Sequence, residues 1–512
     1  MKYQLSNIRI PAGSEVDLEQ TIRKMLNNQS SYLISWKPLH QALDTRRHNH
    51  PIFNYTIELE VSHLLTNLPN LLPLVDDEPI PQPDTKLSHK SPVIIGMGPA
   101  GLFCALAMVE RGLQPILIDR GSNLVRRTEA VEAFWRQGIL NPESNVQFGE
   151  GGAGAFSDGK LTSRTRNIYI TKVFDSMVEL GAPQSIRYQA LPHLGTDGIR
   201  AMVAKLRTYL EEKGCSFVYN ARLDQLKVKA GKVSEITING ESHTPELVVL
   251  ALGNAARDTY RMLASTSVKL EAKPFAIGFR IMHSQGWINQ SIYGGDKWAE
   301  KLGAASYRLT ANRAGKGAYT FCMCPGGFII AASSEADALV TNGMSYAARS
   351  HSFGNSAIVT VIDEADYGTG LFDGMQLQSD IESKAYSSGY AAPYQSAGDY
   401  LADKLTPPRS VDCLFPASIP MLLTDIFPAS VNSALRLALK HFDHVLPGFI
   451  AEGMLIAPET RTSSPVRILR DKQNLNCLGI SNLYAIGEGS GYAGGIISSA
   501  ADGYRIGSKF AL

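Results

Sequence analysis

At 512 residues the chain is long enough for about three domains and a large core. Its 44% hydrophobic and 19% charged residues are those of an ordinary globular protein, and a net charge of +1 offers no bulk attraction to nucleic acid or an anionic membrane. The N-terminal MKYQLSNIRIPAG lacks a signal peptide's apolar core, and no run approaches the roughly 18 apolar residues of a spanning helix. The expectation is a cytoplasmic protein with neither membrane nor nucleic acid as partner.

In chain order, residues 1–75 read as a small α+β domain. Tyr3 to Ile10 is strand-like, Leu18, Ile22, Met25 and Leu26 form a helical stripe, and Phe53 to Val61 alternates as a half-buried strand does. Residues 76–91, rich in Pro, Asp and Lys, read as a linker.

The densest signal follows, in SPVIIGMGPAGLFCALAMVERGLQPILIDR. An apolar strand, Val93 to Ile95, runs into Gly96, Gly98 and Gly101 at GxGxxG spacing, with Pro99 and Ala100 between the last two. A helical stripe and a second apolar run then lead to Asp119, 23 residues after the first glycine. This is the pattern of a dinucleotide grip. Gly96 makes the turn, Gly98 leaves room for a pyrophosphate, Gly101 lets helix and strand approach, and the acid holds a ribose. Two other glycine triads fit the spacing, Gly149/Gly151/Gly154 and Gly489/Gly491/Gly494. They lack the strand–helix–strand–acid context and read as loops that admit close backbone approach.

The nucleotide domain, 92–270 with a return at 451–512, is expected to be interrupted by an inserted α+β substrate domain at 271–450. A stripe from Ile199 to Leu210, with capping candidates Thr196 and Asp197, gives a helix; Cys215 to Tyr219 starts a strand, and Leu247–Leu252 and Leu483–Ile486 are buried parallel strands. Within the insertion, Phe328 to Ala332 and Ala357 to Ile362 are strand-like. Six scattered cysteines form no disulfide framework. Cys322 and Cys324, two apart, would share a strand face, buried together or turned as a thiol pair toward a flavin. No His pair at metal spacing accompanies them, so no metal is expected.

This layout resembles the Rossmann-type FAD-binding oxidoreductases: an early GxGxxG, a middle strand ending Ala251-Leu252-Gly253, and a late strand ending Ile486-Gly487-Glu488. More narrowly, NVQFGEGGAGAFSDGKLTSR (145–164), YTFCMCPGG (319–327), VTNGMS (340–345), ETRTSSPVR (459–467) and GEGSGYAGGI (487–496) resemble a bacterial family of FAD-dependent dehydrogenases, also called NAD(FAD)-utilising dehydrogenases. The resemblance implies FAD, with Gly487 and Glu488 at its ribityl or pyrophosphate part. It implies adenine near Leu223 and the helix after Gly494, Gly495 and Ile496 directed at the flavin O2 edge. It brings no substrate. Glu488 stands where the class has Asp; Asn254 stands where relatives tend to carry His, and Met282 where an acid is usual.

For the chemistry, the densest polar set is Glu150, Asp158, Lys160, Arg164 and Arg166. Lys160 is the leading candidate to stabilise charge on a flavin. Arg164 and Arg166 could clamp a pyrophosphate or a substrate carboxylate. Arg120, beside Asp119, joins the cofactor set; Arg127 reads as a phosphate ligand or an exposed helix residue. Glu459 and Arg461 would form a substrate-anchoring pair or a structural one. Tyr492 would close over the ring or simply pack, and His193 is a general-acid candidate.

The activity expected is hydride transfer between flavin N5 and a small organic substrate. No second GxGxxG unit for NAD(P)H occurs between 155 and 480, so that dinucleotide would visit transiently, as in a flavin reductase lacking a second Rossmann domain. A different class also stays open: an FAD-binding RNA-modification or interaction protein whose N-terminal domain docks a partner.

Overall fold

The computed structural model describes residues 1–47, 49–75, 78–89, 91–163, 167–312 and 316–512. Its centre is a five-stranded parallel sheet in the order Leu483–Ala485, Val248–Leu250, Val93–Ile95, Ile116–Ile118, Ser216–Val218. The chain starts on the central strand, builds outward to one side, then returns to build the other. The switch point lies at the carboxyl end of Val93–Ile95, where such sheets open a ligand crevice. These strands are buried on both faces, which explains their continuous apolar runs. Ile94, Leu117 and Val249 belong to one core; Val93, Ile95, Val248 and Leu250 belong to another, roofed by an antiparallel meander of Leu223–Lys229, Lys232–Ile238 and Glu241–His243.

On the helical side, Pro99–Val109 and Ile496–Gly507 lie against each other, and their glycines decide how closely. A Cβ on Gly503 would stand 2.0 Å from the Ala100 carbonyl oxygen, and one on Gly507 2.4 Å from that of Cys104. The equal offset makes the helices parallel. Both N-termini therefore point toward the crevice end of the sheet.

The inserted region forms a seven-stranded sheet ordered Thr310–Ala311, Ala318–Cys324, Phe353–Ile362, Phe275–Ser284, Met454–Glu459, Ala392–Ser396, Ser418–Pro420. Met454–Glu459 pairs with Phe275–Ser284 and Ala392–Ser396, so the expected boundary at 451 falls too early. The N-terminal residues form a four-stranded antiparallel sheet, Leu33–Asp44, Ile52–Val61, Lys2–Pro11, Leu71–Pro73, under the helix Leu18–Leu26. Leu33–Asp44 had no clear alternation and was not expected as a strand. Gln41 exchanges backbone hydrogen bonds of 2.7 and 2.8 Å with the 188–190 segment, which docks this sheet on the nucleotide domain. In the linker stretch, Thr85–Lys86 pairs with Phe510–Ala511. Among the described residues no helix is long and apolar enough to cross a membrane.

Substituting Gly503 by Ala forces the two helices apart, and a loss of about 2 kcal/mol or more is expected, as for overpacked cores. Gly398→Ala, where no described atom lies within 4 Å of the new methyl, should leave the melting temperature unchanged or raised. Paired thermal denaturation of the two variants checks this; equal melting would contradict the helix contact.

Candidate functional site

The glycine turn is built by close backbone contacts. Gly96 has φ of 109°, donates to the Ile118 carbonyl at 2.7 Å, and would carry a Cβ 2.2 Å from the Ala251 oxygen. A Cβ on Gly101 would stand 2.0 Å from the Gly96 oxygen. Gly98 differs: its missing Cβ is 3.7 Å from the Cα of Gly152 and otherwise faces open space among the described residues. Gly98 is also the N-cap of Pro99–Val109 and provides no capping side chain. Asp119 organises the turn, its carboxylate accepting at 2.8 Å from the N–H groups of Met97 and of Gly121.

The opposite wall joins the middle and terminal strands. The Tyr260 hydroxyl lies 2.7 Å from the carbonyls of both Gly253 and Gly489. Asn254 donates to the Glu488 carboxylate at 3.1 Å and to the Arg461 carbonyl at 3.3 Å. Burial pushes the Glu488 carboxyl up to about 7, against the opposing pull of Asn254 and of the Lys273 charge. Asp502 holds Gly487, accepting from its N–H at 2.8 Å, and pairs with Arg470 at 2.7 Å. Gly495 is the N-cap of Ile496–Gly507, again without a capping side chain. Gly253, Gly494 and Gly495 have no described atom within 4 Å of a built Cβ.

Most of the expected cations lie elsewhere than in the crevice. Arg127 is neither exposed nor free for a phosphate. It is fully buried and donates to the carbonyls of Asn145, Val146, Gly149 and Glu150, so it shapes the glycine-rich loop from inside. Arg120 is held by Glu143 at 2.6 Å and Asp258 at 2.9 Å and lies over the Phe148 ring. Glu459 and Arg461 are not partners. Glu459 binds the fully buried Arg280 at 2.7 Å, whereas Arg461 and Arg257 both bind the buried Glu382 at 2.9 Å. Tyr492 is an exposed loop residue beneath the guanidiniums of Arg470 and Arg467. Leu223 begins the meander as a buried residue; the backbone beside Asp119 is Ala221, which donates to the Asp119 carbonyl at 2.9 Å. Thr196 and Asp197 do not cap their helix; they bind the Ser157 carbonyl and the Ala347 N–H. Arg164 and Arg166 lie outside the described residues.

Lys160 sits where the glycine-rich loop meets the inserted sheet. Its Nζ is 3.4 Å from Asp158, is shielded from solvent, and has no hydrogen-bond partner among the described residues. Asp158 is buried and bound by Arg349, at 2.5 Å, and by the Ser345 hydroxyl. Burial alone would raise its carboxyl; the Lys160 and Arg349 charges outweigh that and hold it below its usual range. His193 forms a β-bridge with Lys160, and burial with the Arg349 charge lowers its imidazole. The two cysteines separate. Pairing shifts register between Phe321 and Cys324, Cys322 takes φ of 43°, and this bulge exposes Cys322 while Cys324 stays buried. Sequence reasoning missed Arg349 and Ser345, which lie about 190 residues from Asp158. Arg280 was more accessible: a charge within the apolar run FAIGFRIM requires a buried partner.

The family described as FAD-dependent protein, C-terminal domain-like, matches residues 274–462. An uncharacterized protein of Clostridium beijerinckii is 38% identical over 526 residues, covering 99% of this chain and 98% of its own. The chain belongs to this family of FAD-dependent proteins. Solved structures similar to it include L-proline dehydrogenase from P. horikoshii, with TM-score 0.36, 12% identity and 82% and 93% coverage of the two chains. Another is a geranylgeranyl bacteriochlorophyll reductase-like protein from Thermoplasma acidophilum, at 0.35, 11%, and 82% and 77%. Likeness at this level carries nothing about substrate or reaction. The crevice of this FAD-dependent protein fits an extended dinucleotide. Four glycines leave the places of their side chains open, and two helix N-termini without capping side chains supply N–H groups and positive partial charge for phosphates. Among the described residues there is no cluster for a metal.

Gly98→Ala should fold normally, since its methyl meets only the Gly152 Cα, yet lose FAD; Gly101→Ala should fold poorly. Flavin absorbance per protein together with melting temperature separates the two outcomes. Glu488 gives a pH signature. Its raised folded pKa means that native protein holds a proton the unfolded chain has released. Apoprotein stability should therefore fall as pH rises from about 4.5 to about 7. Glu488→Gln should lessen that fall, the raised carboxyls of Glu150 and Glu459 keeping the remainder, measured by thermal unfolding of FAD-free protein across this range.

Proposed function

We propose that the protein is an FAD-dependent oxidoreductase acting on a small organic substrate bound between the 149–160 loop and the inserted sheet. The observation that carries this reading is Lys160, a shielded ammonium without a hydrogen-bond partner at the junction of the two domains. Gly98, Gly253, Gly487, Gly494 and Gly495 would hold the dinucleotide, with Asp119 fixing the turn and Glu488 the opposite wall. Bound FAD supplies an acceptor, or in reduced form a donor, of two electrons.

The protein's own groups do the rest. Arg349 and Ser345 orient the Asp158 carboxylate, which in turn keeps Lys160 in place. Because Asp158 divides its charge between Lys160 and Arg349, the Lys160 side chain is left to stabilise an anion developing beside it, and in a site shielded from water such an interaction acts strongly. His193, its imidazole kept neutral more readily by burial, is available to accept a proton near neutral pH. NAD(P)H, where it serves, would enter as a transient reactant in this same space.

Anaerobic mixing of the FAD-loaded protein with NADH, NADPH and a metabolite panel, read by flavin absorbance, tests the proposal. Bleaching by at least one compound is expected. With that compound, Lys160→Met should slow bleaching at least about tenfold at unchanged FAD content, within the range for loss of one stabilising group. No bleaching by any member would count against the enzyme reading, and salt-sensitive RNA binding by an unbleached protein would favour an RNA-modification or interaction role.

A further inference from the structure

The face of the N-terminal sheet that its helix does not cover carries a charged hollow, separate from the dinucleotide crevice. Across three neighbouring strands Pro11 is opposite Ile52, Ile52 is opposite Asp44, and Arg9 is opposite Asn54. Side chains two apart share a face, so Arg9, Ile52 and Asp44 lie together. They face away from Ile8, Ile10 and Ile57, which pack in the helix-covered core. Arg46, Arg47 and His50, from the turn joining the strands, complete a hollow of about 370 Å³ lined by Arg9, Asp44, Arg46, Arg47, His50 and Ile52. The turn is fixed at its far end, where Asn49 N–H donates to the Tyr293 carbonyl at 3.1 Å.

The charges in this hollow do not balance. Asp44 is committed to Arg46, which it binds through both carboxylate oxygens at 2.9 and 2.6 Å. Arg9 feels the Asp44 charge without a hydrogen bond to it, and Arg47 and the His50 ring have no hydrogen-bond or ion-pair partner among the described residues. Three guanidiniums against one carboxylate leave an excess of two positive charges before His50 is counted. Guanidiniums bind planar or tetrahedral oxyanions through paired N–H groups, and an excess of two matches a phosphoryl dianion better than a carboxylate monoanion. Outside the hollow, residues 1–75 carry four Lys and Arg against five Asp and Glu. Positive charge is thus concentrated in the hollow, not extended in the stripe that a polynucleotide backbone requires.

We propose that this hollow binds the phosphoryl group of a small molecule, a phosphate monoester or a pyrophosphate. The site stands apart from the dinucleotide crevice, so it holds or fails independently of the oxidoreductase reading. The test uses full-length, FAD-loaded protein, so that the cofactor crevice is filled. Calorimetric titration with pyrophosphate, inorganic phosphate and acetate should show pyrophosphate and phosphate binding and none by acetate. The double variant R9Q/R47Q should weaken pyrophosphate at least about tenfold, as expected for loss of two charge-assisted contacts, with melting temperature and flavin content unchanged. Binding by the variant equal to that of the parent, or no binding of either phosphate probe at millimolar concentration, overturns the proposal. So does a single-stranded RNA that binds more tightly than pyrophosphate, with a steeper salt dependence, and is lost in the same variant; that outcome assigns the hollow to nucleic acid.

Discussion

The close approach of bare backbone at the head of the parallel sheet is the constraint on which the rest of the molecule depends. Gly101 rests on the Gly96 carbonyl and Gly503 on that of Ala100, each at a distance no side chain permits. Helix Pro99–Val109 is therefore pinned on one side to the turn beneath it and on the other to Ile496–Gly507. That double pinning aims two helix N-termini at one crevice, from segments some 400 residues apart in sequence. The partial charges at helix ends act only over about a turn, so their combined use on one ligand requires this proximity.

Buried charge fixes the inserted domain on that platform. Arg257 of the nucleotide domain and Arg461 share Glu382 of the insertion, and Asp158 on the glycine-rich loop is held by Arg349 and Ser345 of the insertion. A buried ion pair adds little net stability, because both partners lose water. Separating it is costly, because a lone charge is left in a poor solvent. Such pairs therefore act as locating pins. Two of them, on separate elements, define how the inserted sheet sits over the loop that carries Lys160.

The parallel strands and the glycine turn were legible in the sequence because each is a local pattern: an apolar run buried on both faces, a glycine spacing, an acid at the next strand end. The inserted sheet was legible only in pieces. Its strand Met454–Glu459 follows a long helix and joins a partner some 170 residues earlier, so the domain boundary was set too early. Polar residues were the weakest part of the reading, for one reason. Arg120, Arg127 and Arg461 look alike in sequence whether they meet a phosphate or a carbonyl, and their partners are set by tertiary contacts 18 to 138 residues away or by Glu382, 79 residues away. The cysteines failed differently: alternation places Cys322 and Cys324 on one face, and the bulge between them breaks the alternation.

Two departures from the resembled pattern, Asn254 and Glu488, prove to be one feature. In sequence they stand 234 residues apart and read as the loss of an acid–base group and the lengthening of a carboxylate; in the fold the Asn254 amide donates to Glu488 Oε1. The extra methylene gives the carboxylate the reach to meet that amide across the crevice wall. An amide, unlike an imidazole, donates here without a proton of its own to titrate. The pair therefore leaves Glu488 as the titrating group, with burial raising its carboxyl and Asn254 only partly opposing that rise. Proton uptake at this wall is thus concentrated on one residue, beside the segment from which Gly487 and Gly495 lead into the second helix N-terminus.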